Sequence, residues 1–123
     1  MDHQYSFEKL RVWQDAREFV SFIYKITKAF PQEEKFGLTN QIRRASVSIA
    51  ANLAEGSSRV SSKDQAHFTN ISYSSLMEVL SHIYIASDLG FIEFEPFKES
   101  KKKIIILSKQ LSALRKSQLS ENI

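Results

Sequence analysis

The sequence predicts an all-α fold, an antiparallel up-and-down four-helix bundle, and three observations support this fold class. Four segments carry apolar residues at the spacing of three and four that is typical of helices. The connections between them are short, which makes neighbouring helices antiparallel. No strand alternation, Gly-x-Gly pattern or internal repeat competes with this interpretation. We therefore expect the 123 residues to form one domain, with helices at about 7–29, 38–56, 62–89 and 96–117.

The first predicted helix begins near Phe7, behind Ser6 as its N-cap, and stops before Pro31. Its apolar residues form two adjacent stripes, which are Trp13, Ala16, Val20, Ile23, Thr27 and Phe30 in one, and Val12, Phe19 and Ile26 in the other. This apolar face is wider than one core usually requires. The helix is therefore expected to be nearly enclosed or to contact another subunit.

The second predicted helix, LTNQIRRASVSIAANLAEG, carries an apolar face and a polar line beside it. The apolar positions are Leu38, Ile42, Ala45, Ile49 and Leu53. The polar line consists of Gln41, Arg44, Ser48, Asn52 and Glu55. The small side chains between them allow another helix to approach closely. Gly56 is expected to end this helix as the residue that takes a positive φ.

The third and fourth predicted helices are delimited by caps and turn residues. Ser62 and Gln65 have the spacing of a capping box, and Gly90 closes the third helix. Pro96 suits the first turn of the fourth helix. The main apolar positions are Tyr73, Leu76, Leu80 and Ile83 in the third helix, and Ile104, Leu107, Leu111 and Leu114 in the fourth. Residues from Ser117 onward are expected to fray.

Composition narrows the functional classes. The chain is mildly basic, with a net charge of +3, which weakly favours a polyanionic partner. Its lack of cysteine excludes disulfides and thiolate chemistry. No apolar run is long enough to span a bilayer, and the N-terminal segment lacks a hydrophobic signal core. We expect a cytoplasmic protein without membrane contact.

The titratable residues do not predict a catalytic or metal site. His67 and His82 stand fifteen residues apart on one predicted helix, about 22 Å along its axis, and His3 lies near the terminus. The Glu-x-x-His pattern of di-iron bundles is absent. The sequence therefore predicts a protein that is not an enzyme and has no metal or cofactor.

The polar line of the second helix has two interpretations. It could line a site for a small molecule or nucleotide. Alternatively, Gln41, Arg44, Ser48, Asn52 and Glu55, joined by Glu78 of the third helix, could form a buried or interfacial network that is structural. We favour the structural network, because buried polar groups usually satisfy one another.

Basic residues are concentrated in the fourth helix, where seven cations against Glu99 give a local charge of about +6. The candidate nucleic-acid contacts are Arg43, Lys98, Lys101, Lys102, Lys103 and Lys109. The alternative is an ordinary solvated helix surface. Repetition of this surface around a ring would strengthen its field. No aromatic residue interrupts the lysines in sequence, so base stacking has no support at this stage.

A set of motifs spans the first three predicted helices, and its residues are Trp13, Pro31, Glu34, Phe36, Gly37, Leu38, Gln41, Arg43, Arg44, Ala45, Ser48, Ile49, Asn52, Ala54, Glu55, Gly56, Ser75 and Glu78. This set resembles the signature of the family of S23, or 23S rRNA intervening-sequence, proteins. The resemblance covers about residues 7–91 and departs at Ser74, where the family usually has glycine. It implies a four-helix bundle that assembles into a homo-oligomer, expected to be a pentamer. Relatives serve as accessory factors that bind RNA and a reverse transcriptase.

Together these observations predict a non-catalytic oligomeric scaffold that associates with nucleic acid, RNA more than DNA. The lysines of the fourth helix would contact phosphates without reading sequence. The alternative is a protein-interaction module without nucleic-acid binding, which would dock a partner through the apolar margin of the first helix.

Overall fold

The computed structural model describes residues 3–120, which form an antiparallel up-and-down bundle of four α-helices. The helices are α1 Arg11–Thr27, α2 Leu38–Ser57, α3 Ser62–Asp88 and α4 Phe94–Ser120. Short 3-10 helices at Ser6–Lys9 and Gln32–Glu34 precede α1 and α2. The helices pack in the cyclic order α1, α2, α3, α4, with α1 also against α4, and no strand occurs within residues 3–120. The predicted fold class is confirmed.

All four helices contribute to one apolar core. Its fully buried large residues are Ile23, Ile42, Ile49, Leu76, Val79, Ile83, Ile104 and Leu111. Burial of each such side chain stabilises the fold by about 1.5–3 kcal/mol. In α1 the buried stripe runs through Val12 and Phe19, whereas Trp13 and Val20 are only half-buried. The excess apolar width that the sequence predicts in this helix therefore lies at its margin toward α2.

The first helix starts later than the sequence predicts. Residues from Ser6 form a 3-10 turn, and Leu10 is extended before α1 begins at Arg11. The Glu8 carboxylate accepts the Tyr5 N–H at 2.8 Å, which closes this separate turn. The Phe7 ring then packs edge-on against Trp13, with 4.9 Å between centroids. At the other end α1 stops at Thr27, short of the predicted residue 29.

Gly56 has a different role from the predicted helix cap. α2 continues to Ser57, and within residues 3–120 positive φ occurs only at Gly90. A Cβ on Gly56 would lie 2.7 Å from Cβ of Phe68 in α3, closer than real Cβ contacts allow. The prediction of a positive-φ cap was wrong. Gly56 is needed because α2 and α3 approach each other at this point.

The termini of α3 are set by other residues than the capping box suggests. The Ser61 hydroxyl, not Ser62, accepts the Asp64 N–H at 3.0 Å, and Gln65 reaches the Arg59 carbonyl. The prediction of a capping box at Ser62 and Gln65 was therefore wrong, because the N-cap is Ser61, one residue earlier. At the C-terminus, Gly90 has φ +77° and Phe91 N–H donates to the Ala86 carbonyl, which is a Schellman motif.

The fourth helix is longer at both ends than predicted. It begins at Phe94, two residues before Pro96, and continues to Ser120. The Thr69 hydroxyl of α3 donates to Gln118 Oε1 at 2.7 Å, which holds the last turns of α4 on the bundle. The predicted fraying is wrong for residues 117–120, and the rest of that segment lies outside the described residues. None of the helices in the described chain combines the length and apolar character that crossing a membrane requires.

Candidate functional surfaces

A short chain of hydroxyl and amide groups joins α2 to α3. The hydroxyls of Ser48 and Ser75 lie 2.9 Å apart, and Asn52 Nδ2 donates to Ser48 O and Oγ. The buried Ser72 hydroxyl donates to the Ile49 carbonyl at 2.9 Å. Because all these side chains are short, the two helices can pack closely while their polar groups stay paired. We call Ser48, Asn52, Ser72 and Ser75 the α2–α3 seam.

The rest of the predicted polar network does not form inside the chain. Gln41 and Arg44 are exposed and make no side-chain hydrogen bond or ion pair with the described residues. Glu55 pairs with Arg59, just beyond the end of α2, at 3.1 Å, and Glu78 lies 3.3 Å from His82, one turn along α3. A buried intrachain network is therefore wrong for these residues. Their participation in an interface between subunits stays a prediction.

Arg43 is held by α1. Its Nε donates to the Thr27 hydroxyl at 2.8 Å, and its Nη2 donates to the Tyr24 carbonyl at 3.3 Å. The guanidinium also lies 4.6 Å from the centroid of the Tyr24 ring. Arg43 therefore supplies donors to the C-terminal turn of α1, where carbonyl groups lack helical partners. This leaves fewer N–H groups for the phosphate contact that the sequence suggests.

The predicted lysines of α4 fall into two groups. Lys98, Lys102 and Lys109 are exposed and form no ion pair within residues 3–120. Lys101 Nζ donates to the Tyr84 hydroxyl at 2.6 Å, and Lys103 lies 3.8 Å from Glu99 and over the Phe22 ring. Lys98, Lys102 and Lys109 lie four and seven residues apart along one side of α4, and we call them the α4 lysine stripe.

Aromatic rings do lie beside lysines at the start of α4, contrary to the sequence prediction. Lys98 Nζ is 6.0 Å from the Phe94 centroid, and Lys101 Nζ is 5.3 Å from the Tyr84 centroid. Phe94 was missed because the helix starts earlier than predicted, and Tyr84 because it comes from α3. This end of the bundle also carries Asp88, Glu93, Glu95 and Glu99. Because α4 includes Glu95 as well as Glu99, its net charge is +5, not +6.

An apolar groove of about 480 Å³ runs between α1 and α2. Trp13 and Val20 form its α1 wall, and Val47 and Ala51 lie on its α2 wall. The Arg17 guanidinium lies 5.6 Å from the Trp13 ring centroid and borders the groove. Val47 remains 43% exposed, so this groove is an uncovered apolar surface of the single chain. We call it the α1/α2 groove.

A second groove, of about 340 Å³, lies between α3 and α4 near the C-terminal end of α4. Asn70 and Tyr73 line its α3 side, and Ser112, Arg115 and Lys116 line its α4 side. None of its lining residues is acidic. Spacing within each helix gives no signal for this α3/α4 groove, because its residues meet only through the antiparallel register. In the cyclic order of the helices it lies opposite the α1/α2 groove.

The described histidines and carboxylates do not converge. Among residues 3–120, no group of three or more His, Asp or Glu side chains could hold a metal ion. His67 packs edge-on against Phe68, and His82 lies beside Glu78. We therefore take the α1/α2 groove, the α3/α4 groove and the α4 lysine stripe as candidate binding surfaces.

Comparison with known proteins agrees with the fold. A family model described as 23S rRNA-intervening sequence protein matches residues 8–113. A solved structure of a protein of unknown function from the S23 ribosomal protein family of Bacteroides thetaiotaomicron superposes with a TM-score of 0.79. The sequences are 23% identical over 85% of this chain and 98% of that chain, an identity at which the likeness shows the fold alone. No curated protein matches the chain.

Proposed function

The chain belongs to the 23S rRNA-intervening sequence protein family, and from this premise we propose that it is a non-catalytic, self-assembling scaffold that associates with RNA. The observation that carries the proposal is the separation of two unlike surfaces. An apolar groove opens between α1 and α2, whereas exposed lysines that form no ion pair within residues 3–120 lie on α4, and a groove without acidic lining residues lies between α3 and α4. A bundle built this way can pack on its own copies with one side and present the other to a polyanion.

Three features support self-assembly. The α1/α2 groove exposes apolar side chains on two adjacent helices, and burying them stabilises a complex by about 25 cal/mol per Å². Gln41 and Arg44 on the neighbouring part of α2 have no partner within the described chain, so a second subunit can supply one. The family resemblance implies a closed ring, expected to be a pentamer. The occupant that we propose for the groove is a second copy of this chain.

The α4 lysine stripe supports association with RNA. Lys98, Lys102 and Lys109 are exposed along one side of a helix, where they can follow a phosphate backbone. Phosphate contacts alone do not distinguish RNA from DNA, so the preference for RNA comes from the family. In a ring, several copies of the stripe would sum their fields and raise the affinity beyond that of one chain.

The test combines subunit counting with a salt titration. We expect light scattering of the purified full chain, after nuclease treatment, to give a mass near five subunits. RNA should bind at low salt, with log K falling by about 0.7 per contacted phosphate per decade of salt for a single strand. Substitution of Lys98, Lys102 and Lys109 by Glu should weaken binding on the order of tenfold or more. The control replaces Lys9, Lys25 and Lys28 by Glu, which changes the net charge equally.

A wild-type chain that binds no RNA even at low salt would remove the proposal. Equal loss of binding in the two triple variants would instead remove the α4 lysine stripe as the RNA contact, because only total charge would then matter. The cytoplasmic location and the absence of a cofactor stay predictions of the sequence.

The apolar α1/α2 groove also favours a second candidate, a protein-interaction module without nucleic-acid binding. In that case Lys101, Lys102 and Lys103 changed together to Glu would leave partner binding intact. Arg44→Ala would break assembly, although the Arg44 side chain makes no hydrogen bond or ion pair within the described chain. Intact RNA binding by a monomeric Arg44→Ala variant would argue against this candidate.

A further inference from the structure

We propose that the α3/α4 groove binds a single-stranded segment of RNA, with one base against Tyr73 and the adjacent phosphates on Arg115 and Lys116. This inference rests on the proposed association with RNA and adds where the strand lies and which form of RNA is bound. These residues lie outside the α4 lysine stripe, toward the C-terminal end of the same helix.

The groove has the dimensions and lining that such a ligand requires. Its volume of about 340 Å³ falls within the range of roughly 300–1,000 Å³ that is typical of small-ligand pockets. The buried Leu111 forms an apolar part of the lining next to the half-buried Tyr73. The hydrogen bond from Thr69 to Gln118 fixes α4 against α3 here, so the walls are held in place before any ligand arrives.

Tyr73 is the residue that can stack on a base. Within residues 3–120 its ring contacts no other aromatic ring, and its hydroxyl makes no hydrogen bond. The exposed Asn70 and Ser112 stand on opposite walls beside it, and the Asn70 amide makes no hydrogen bond in the described chain. An aromatic ring flanked by unpaired amide and hydroxyl groups suits the face and the edge of a nucleobase.

Charge complementarity selects a polyanion as the occupant. Arg115 and Lys116 are exposed at the groove, form no ion pair within residues 3–120, and meet no acid among the lining residues. The start of α4 differs, because its four lysines lie beside four carboxylates and Lys101 already covers the Tyr84 ring. A phosphate chain therefore meets less repulsion at the α3/α4 groove than at the other aromatic cluster.

The form of the RNA follows from access to the base. In a duplex the bases are stacked and paired, so a ring in a groove between two helices cannot reach a base face. An unstacked nucleotide can enter the groove while its neighbours remain on the cationic rim. The α4 lysine stripe can then continue the path of the backbone along the outside of the same helix.

The experiment uses the full chain and a fluorescent RNA of about twelve nucleotides, offered as a single strand and as a duplex with its complement. Binding is followed by anisotropy across a salt series. We expect Arg115→Glu with Lys116→Glu to weaken single-strand binding at least about tenfold. The control, Lys25→Glu with Lys28→Glu, carries the same charge change at the C-terminal end of α1 and is expected to stay within about threefold of the wild type.

A second pair of variants tests stacking. Tyr73→Leu keeps an apolar side chain but removes the ring, so single-strand affinity should fall about fivefold or more while duplex affinity is unchanged. Tyr73→Phe keeps the ring and should bind like the wild type. If circular dichroism shows that Tyr73→Leu is unfolded, Ser112→Glu replaces it, because a carboxylate at this exposed position repels phosphate without disturbing the core.

The outcomes separate this inference from the proposed function. The groove assignment is overturned if the Arg115/Lys116 and Lys25/Lys28 double variants weaken RNA binding equally. It is also overturned if neither Tyr73→Leu nor Ser112→Glu reduces the preference for single-stranded RNA. Either result leaves RNA association standing. A polyglutamate peptide that displaces the RNA as well as unlabelled RNA does would also overturn it, because the groove would then accept any anionic chain. Failure of the wild type to bind any RNA removes both.

Discussion

At the scale of single residues, Gly56 determines how closely α2 and α3 can pack. Helix propensity alone predicts that Gly56→Ala stabilises the helix by about 1 kcal/mol. The added Cβ would however lie 2.7 Å from the Phe68 Cβ and 3.4 Å from the Gln65 carbonyl, neither of which is a flexible side-chain end. Overpacking of this kind costs about 1–3 kcal/mol. We expect a net loss of roughly 1 kcal/mol, seen as a decrease in Tm of several degrees.

The sign of the Gly56 effect is the informative result. Thermal unfolding at one fixed protein concentration measures it, because assembly would otherwise change the apparent Tm. Gly56→Val should be worse than Gly56→Ala, since its additional methyl groups meet the same wall. An increase in Tm for Gly56→Ala would mean that the two helices do not approach as closely as the structure indicates.

The same residue illustrates what sequence patterns can and cannot predict. Glycine at a helix end predicts a cap, and Gly90 fulfils that expectation whereas Gly56 does not. The difference depends on a neighbour from another helix, Phe68, which no local pattern contains. Gly37 is a related case, because a Cβ there would meet the Glu34 carboxylate that accepts the Leu38 N–H at 3.0 Å. This contact gives the Glu-x-Phe-Gly-Leu motif a structural reason.

At the scale of helices, the α2–α3 seam is a local device for close packing. Ser48 and Ser75 share a hydrogen bond of 2.9 Å, and Ser75 is almost fully buried. We expect a double-mutant cycle with Ser48→Ala and Ser75→Ala to give a coupling energy of about 0.5–1.5 kcal/mol in chemical denaturation. A matched pair that is not in contact, Ser21→Ala with Ser81→Ala, should be additive. Additivity of the seam pair as well would mean that the bond contributes no stability.

The contact between Arg43 and α1 gives a prediction with two readouts. Arg43→Ala removes two hydrogen bonds and a cation–π contact, and should lower the free energy of unfolding by about 1–2 kcal/mol. RNA affinity should change little, because the guanidinium is already engaged. Lys25→Ala, at an exposed position of α1 whose side chain makes no hydrogen bond or ion pair within residues 3–120, serves as the stability control. Loss of RNA binding with unchanged stability would instead favour the phosphate contact that the sequence suggests.

Helix-scale features were predictable to the extent that they depend on periodicity within one segment. The apolar faces follow the spacing of three and four, and residues such as Ile42, Ile49 and Leu111 are buried as expected. The contacts of the polar line of α2 could be predicted only in part. Ser48 and Asn52 meet α3, but Arg44 on the same line does not, because the contact depends on where the two helices cross. The C-terminal end of α4 lies beyond the predicted one because a tertiary contact, Thr69–Gln118, extends the helix.

At the scale of the whole molecule, the cyclic order of the helices puts the two grooves on opposite sides. This arrangement could not be predicted from any one segment, since each groove combines residues from two helices. As a consequence, subunits that associate through α1 and α2 leave the surfaces of α3 and α4 accessible to another ligand. A ring assembled in this way would present the α4 lysine stripe and the α3/α4 groove once per subunit, so that weak contacts add up along one strand.

Val47 gives the sharpest test of this arrangement. Its side chain is 43% exposed on the wall of the α1/α2 groove, so Val47→Glu should change the stability of the bundle itself by no more than about 0.5 kcal/mol. Inside an interface the same carboxylate would lose its hydration and interrupt the apolar contact, which costs several kcal/mol and is enough to prevent assembly. We therefore expect light scattering to show a folded monomer. Val60→Glu, on a side chain that is 101% exposed and away from the groove, is the matched control and should assemble like the wild type. If Val47→Glu and Val60→Glu assembled equally well, subunits would meet through another face. The assignment of assembly to α1 and α2, and of RNA binding to α3 and α4, would then be wrong.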